Sequence, residues 1–140
     1  MADRPLSTTL RVRWRLTQWW VKVIAVFVVS RVITTAIMLA YAAAQQPNAW
    51  TGASPDYFDF AAIWDGHWYF IVAAVGYPTE LPITDDGFVG ENAWAFMPAY
   101  PAVVRLLMLV TTLDFPIVAV VVSVAFALGT ALMLHRLLSL

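Results

Sequence analysis

Two long apolar stretches of this chain are typical of helices that cross a membrane. Residues 23–44 include a single charged side chain, and residues 116–134 include none. A helix rises about 1.5 Å per residue, so each stretch comes close to spanning a hydrocarbon core of about 30 Å. Of the 140 residues, 61% are hydrophobic and only 12% are charged, which leaves too little polar surface for a soluble domain. The sequence therefore predicts an all-α membrane protein.

Charge is strongly segregated along the sequence. The N-terminus is basic, whereas no lysine or arginine occurs from residue 32 to residue 104. Basic flanks remain in the cytoplasm, so we expect residues 1–18 inside, a transmembrane helix at 19–45 and an extracytoplasmic loop at 46–97. A cleaved signal peptide is the competing interpretation, but the apolar stretch is longer than a signal sequence requires. The loop contains seven carboxylates, which are Asp56, Asp59, Asp65, Glu80, Asp85, Asp86 and Glu91.

The C-terminal part contains one clear span and one ambiguous segment. Pro101 and Arg105 interrupt the apolar residues at 98–113, so we interpret this segment as an interfacial or re-entrant helix. A transmembrane helix is predicted at 116–136, with Arg136 on the cytoplasmic side. This interpretation gives two transmembrane helices. Three remain open, because the segment at 98–113 could also cross the membrane and leave the C-terminus outside.

Within the loop, the residues at both ends of the segment 55–75 are typical of helix ends. Ser54 followed by Pro55 predicts an N-cap and the first helical position. Asp56 would then lie in the first turn, where the helix dipole favours an anion. Gly76 predicts the C-terminal stop. We therefore expect one helix at about 55–75, lying along the outer membrane face.

Asp65 is the first candidate for chemistry on this predicted helix. Trp68 and Tyr69 follow it by three and four residues, so the three side chains would share a face. Desolvation between Trp64 and Trp68 would make the carboxylate a better proton acceptor. Aromatic side chains bind sugar rings but also populate membrane interfaces. The spacing alone supports a general base and a merely solvated interfacial carboxylate equally well.

The other polar side chains of the loop favour structural interpretations. Asp59 would lie on a different helical face from Asp65, and His67 would point away from it. His67 and Asp65 are too few ligands, at the wrong spacing, for a metal site. Residues 85–87, Asp-Asp-Gly, are more typical of a turn than of a cation loop. Glu91 could hydrogen-bond a sugar hydroxyl or orient Asp65, although a solvated loop charge explains it as well.

Arg31 is the single charge in the interior of the first predicted span. An ionisable residue there is by default a candidate functional site. It could pair with a lipid phosphate or with a carboxylate of another helix, or it could bond to carbonyls of neighbouring helices. Its depth separates it from an outer-face site and favours a structural role.

Several function classes are excluded by composition and motif. The chain has no cysteine, which excludes disulfides and thiolate metal sites. A net charge of −1 does not provide the basic surface that nucleic-acid binding requires. The sequence lacks a glycine-rich phosphate loop and the residue spacing of a zinc site, so we expect no cofactor and no metal.

Two segments of the loop carry a family resemblance. The matching residues are Trp64-Asp65, Trp68-Tyr69-Phe70, Gly76-Tyr77, Glu91, Trp94-Ala95-Phe96-Met97-Pro98 and Pro101. This pattern resembles the glycosylphosphatidylinositol mannosyltransferase 2 family, which belongs to the GT-C superfamily of polytopic glycosyltransferases. The order of one span, a long acidic loop and further apolar segments is also similar to the N-terminal part of that fold.

The resemblance implies inverting transfer of mannose from a polyprenyl-phosphate donor on the extracytoplasmic face. Asp65 would be the general base, Glu91 would position the acceptor, and Trp64, Trp68 and Tyr69 would contact substrate. Members of the family have many helices, so the resemblance implies that this chain is an N-terminal fragment, a split subunit or a degenerate copy. Further transmembrane segments or a partner chain would then complete the site. The alternative is a non-catalytic membrane protein whose aromatic loop binds membrane lipid or a partner.

Overall fold

The computed structural model describes residues 14–139, and this part of the chain is mostly helical. Of the basic segment predicted at 1–18, residues 1–13 lie outside it. Among the described residues there is no strand, and one antiparallel bridge pairs Ile83 with Val89. The all-helical class is therefore confirmed. The main helices are α1 (Trp19–Ala44), α2 (Tyr57–Ala61), α3 (Asp65–Val75), a 3₁₀ helix (Ala93–Ala95), α4 (Ala99–Thr111) and α5 (Phe115–Leu138).

Helices α1 and α5 are the two candidate membrane-spanning helices of the described chain. They contain 26 and 24 residues, which corresponds to about 39 and 36 Å of helix. Helix α4 contains 13 residues, or about 20 Å, which is too short for a hydrocarbon core of about 30 Å. Two candidate spans agree with the two-helix interpretation of the sequence.

The chain divides into two compact units. Among the described residues, one combines residues 14–35 with residues 125–139, and the other is Ala36–Val124. In the first unit, the Trp19 ring lies 5.4 Å from the His135 ring. The start of α1 and the end of α5 are therefore neighbours within that unit.

The second unit has a small apolar core between α3, α4 and the first half of α5. Val104 is completely buried, and Phe115 is 3% exposed. The Tyr100 hydroxyl donates to the Ala119 carbonyl at 3.1 Å, and it lies 3.0 Å from Ser123 Oγ. Further buried core residues are Ala73, Val118, Ala119 and Val122. Helix α3 contributes to this core. Its packing therefore fixes the position of the motif segment that begins at its N-terminus.

The single helix expected at 55–75 is two helices in the structure. Helix α2 ends at Ala61 and α3 begins at Asp65. Between them Trp64 has φ 55° and ψ −115°, a conformation that L-residues rarely adopt and that interrupts helical hydrogen bonding. The prediction was wrong here because the break contains neither proline nor glycine.

The predicted start of this region was also wrong, whereas its end is confirmed. Asp56 is the N-cap of α2, and its carboxylate accepts from the N–H groups of Phe58 at 2.8 Å and Asp59 at 2.9 Å. Ser54 instead donates its hydroxyl to the Ala43 carbonyl at the end of α1, at 3.2 Å. Gly76 ends α3 with φ 85°, as its position after the apolar run predicts.

The turn predicted at residues 85–87 is present. Gly87 has φ 81°, and its N–H donates to the Thr84 carbonyl at 2.9 Å. The Thr84 N–H donates to the Phe88 carbonyl at 2.8 Å. This short hairpin-like turn orders the loop that precedes Glu91.

Candidate functional site

The two motif segments pack against each other. The Trp68 and Phe96 rings are stacked at 6.0 Å and 16°. Tyr69 meets Phe96 edge-on at 5.1 Å. The Tyr77 hydroxyl donates to the Phe96 carbonyl at 2.6 Å. Phe96 therefore packs against residues 68–77, although the two segments are far apart in the sequence.

A second set of contacts closes the loop between these segments. Tyr77 stacks on Trp94 at 4.5 Å and 26°, and Trp94 Nε1 donates to the Pro78 carbonyl at 3.0 Å. The Asn92 side chain accepts from the Trp94 N–H at 2.9 Å and caps the 3₁₀ helix. Aromatic pairs of this kind contribute about 0.5–1.5 kcal/mol beyond their buried area. Packing thus accounts for most of the aromatic residues in the motif.

Asp65 is the first residue of α3, and its side chain is exposed. Among residues 14–139 its carboxylate has no hydrogen-bond or ion-pair partner. Trp64 is itself 67% exposed, so the two flanking indoles do not cover the carboxylate. The desolvation expected from the sequence is absent from the structure, since the break before α3 removes Trp64 from the helix.

Glu91 and Trp68 are brought together by the fold. Both line a cavity of about 690 Å³, together with Glu80, Tyr77 and Pro82. Asp65 and Trp64 do not line this cavity. Of the residues expected to contact substrate, Glu91 and Trp68 therefore share one cavity.

Tyr69 lies apart from that cavity and belongs to the packed core. Its ring lies between Phe96 and Tyr100, which it meets at 5.1 and 5.0 Å. Tyr69 and Asp65 both belong to α3, so the helical spacing predicted between them is present in the structure. The Tyr69 side chain packs α3 against α4 through its contact with Tyr100.

Sequence reasoning missed a second cavity, of about 780 Å³. Asp59, His67 and Asp114 are its titratable lining residues. The Trp50 and His67 rings meet edge-on at 5.4 Å. Asp59 and His67 are eight residues apart, which is about 80° around a continuous helix, and in the structure they stand on either side of the break at Trp64. No local sequence signal marks that break, and Asp114 is remote in the sequence.

The chemistry available in these cavities is that of carboxylates beside aromatic rings. Such a lining accepts hydrogen bonds from hydroxyl groups and packs against the C–H faces of a sugar. Within residues 14–139, no three side chains of the ligating types are grouped so that they could hold a metal ion. Neither cavity is lined by lysine or arginine, so the carboxylates of both linings have no cation beside them.

The comparisons with known proteins identify no relative. No family model, no curated protein and no solved structure matches this chain. The resemblance described above therefore depends on its motif residues alone.

Proposed function

We propose that this chain provides the acidic site of a membrane-bound glycosyltransferase of the GT-C type. In this proposal a sugar, mannose by resemblance, passes from a polyprenyl-phosphate carrier to an acceptor hydroxyl. One observation carries the proposal: most of the motif aromatics are used in packing, whereas Asp65 and Glu91 are exposed and have no partner within residues 14–139. Packing does not explain these two carboxylates, and both are open to a ligand.

Asp65 has the role of general base in this mechanism. Its carboxylate takes the proton of the acceptor hydroxyl while that oxygen attacks the anomeric carbon. The bond from the anomeric carbon to the lipid phosphate breaks on the opposite face, and the phosphate leaves with the electron pair. The configuration inverts, and Asp65 later releases its proton to solvent.

The cavity beside Glu91 is the proposed sugar site. Its volume of about 690 Å³ falls in the usual range of small-molecule sites, about 300–1,000 Å³. Glu91 and Glu80 would accept hydrogen bonds from sugar hydroxyls, and the Trp68 edge would contact the ring. This assignment makes Glu91 a positioning residue for the acceptor rather than a group that takes its proton.

The membrane arrangement follows from charge. We place the start of α1 and the end of α5 in the cytoplasm, and the loop between them outside. The contact between Trp19 and His135 supports this arrangement, because it brings both ends together. His135 and Arg136 are also the basic residues of the last turn of α5. The donor and the acceptor would then meet Asp65 on the extracytoplasmic face.

The test is sugar transfer by the full chain in lipid vesicles. Radiolabelled polyprenyl-phosphate mannose is the donor, and phosphatidylinositol, an alkyl mannoside and a serine-containing peptide are supplied in turn as acceptors. We expect Asp65→Asn to lower transfer by about 10²–10⁴-fold, the usual contribution of a general base. Insertion into the vesicles should be unchanged.

Asp59→Asn is the matched control, because Asp59 is an exposed carboxylate at the other cavity. It should transfer at close to the wild-type rate. Full activity of Asp65→Asn would contradict the proposal. Failure of the wild-type chain with every acceptor would contradict a site that is complete within this chain. Loss of transfer in Asp59→Asn alone would move the site to the cavity that it shares with His67.

A further inference from the structure

Arg31 carries a charge that has no role in the proposed function. It is the thirteenth of the 26 residues of α1. At about 1.5 Å per residue, it lies about 18 Å along the helix from Trp19 and about 20 Å from Ala44. In a bilayer this position is close to the midplane, where a long side chain is farthest from both headgroup regions. Its side chain is exposed on the helix surface.

The described chain gives the guanidinium group no polar partner. Its Cζ lies 5.4 Å from the centre of the Phe27 ring, a contact that offsets part of the charge but accepts none of the five N–H donors in the plane of the group. The carbonyl contacts that the sequence interpretation allowed are absent from residues 14–139. A charged group with unused donors inside a membrane is costly.

The spans of this chain supply no counter-charge. Neither α1 nor α5 contains an aspartate or a glutamate. A second copy of the chain would bring the same two helices, so self-association through them would leave Arg31 unpaired. A counter-charge for Arg31 must therefore come from outside these two helices.

The helix surface around Arg31 is suited to close contact. Thr34 and Thr35 follow Arg31 by three and four residues and share its face. The Thr34 hydroxyl is already satisfied, because it donates to the Ser30 carbonyl at 2.7 Å. Small residues of this kind let two helix backbones approach each other in a membrane. The guanidinium N–H groups of Arg31 lie beside this surface of small residues.

We propose that Arg31 docks a transmembrane helix, other than α1 and α5, that carries an aspartate or glutamate at mid-bilayer depth. The planar guanidinium fork binds a carboxylate through two parallel hydrogen bonds, which fixes both the depth and the rotation of the partner. The inference rests on α1 crossing the bilayer. It does not depend on sugar transfer, so it can fail or succeed independently of the proposed function.

The experiment measures helix association by fluorescence energy transfer in phosphatidylcholine vesicles. The full chain carries the donor dye, and a designed 24-residue leucine–alanine helix carries the acceptor dye and a central Glu, Gln or Lys. We expect the Glu helix to associate at least tenfold more tightly than the Gln helix. Arg31→Gln should abolish this preference, and Arg31→Glu should transfer it to the Lys helix.

Lys22→Gln is the control, because it removes a basic residue near the end of the same helix. It should leave the preference for the Glu helix unchanged. Equal association of the Glu and Gln helices with the wild-type chain would overturn the proposal. That outcome is expected if Arg31 reaches lipid phosphate instead. A preference that persists in Arg31→Gln would overturn it as well.

Discussion

At the scale of single residues, the motif divides into side chains that pack and side chains that do not. Tyr77 shows the first kind: it stacks on Trp94 and donates its hydroxyl to the Phe96 carbonyl. Asp65 shows the second, because it begins a helix and contacts no other side chain of the described chain through hydrogen bonds. Loss of a packing residue should reduce stability, whereas loss of a free carboxylate should reduce function alone.

Tyr77→Phe tests the packing role most simply. The change keeps the ring stack and removes one part-buried hydroxyl, which bonds at 2.6 Å to the Phe96 carbonyl. We expect the free energy of unfolding to fall by about 1 kcal/mol. Urea unfolding in detergent micelles, followed by tryptophan fluorescence, measures it. Tyr57→Phe is the control and should be close to neutral, and a larger loss there would contradict the assignment.

At the scale of helices, the break between α2 and α3 is where the structure departs most from the sequence prediction. The ends of α1 and α5 follow from apolar length and could be predicted. The break could not, because Trp64 adopts φ 55° without a glycine or proline to signal it. The second cavity was missed because Asp114, which lines it together with Asp59 and His67, is remote from them in the sequence.

Glycine at position 64 should tolerate this backbone better than alanine. A Cβ atom is strained at φ 55° and ψ −115°, whereas glycine adopts positive φ freely. We expect Trp64→Gly to be more stable than Trp64→Ala by about 1 kcal/mol. Both variants remove the exposed indole, so the comparison isolates the backbone. An alanine variant of equal or greater stability, measured by unfolding in micelles, would contradict the observed break.

At the scale of the whole molecule, the described chain has two candidate spans and an acidic loop between them. The charge pattern predicts the orientation, because the basic residues stand at one end of the sequence and the carboxylates in the loop. Helix lengths are fixed locally and were predictable, but the contacts that join residues 64–78 to residues 91–101 are not. Those contacts depend on which aromatic rings meet across the fold.

Cysteine labelling can test the orientation, because the natural sequence has no cysteine. Asp85 and Ser139 are both exposed in the structure. In intact cells a membrane-impermeant maleimide should label Asp85→Cys at once. It should label Ser139→Cys only after the membrane is opened. Labelling of both variants in intact cells would contradict two spans with both ends inside.

The rate of sugar transfer per folded molecule, measured side by side for Asp65→Asn and Tyr100→Phe, separates free carboxylates from packed aromatics. Tyr100 lines neither cavity, and its hydroxyl donates to the Ala119 carbonyl in the packed core. We expect Asp65→Asn to lose transfer while keeping its stability, and Tyr100→Phe to keep its transfer rate per folded molecule while losing stability. The reverse pattern, with transfer retained by Asp65→Asn and lost by folded Tyr100→Phe, would contradict this division.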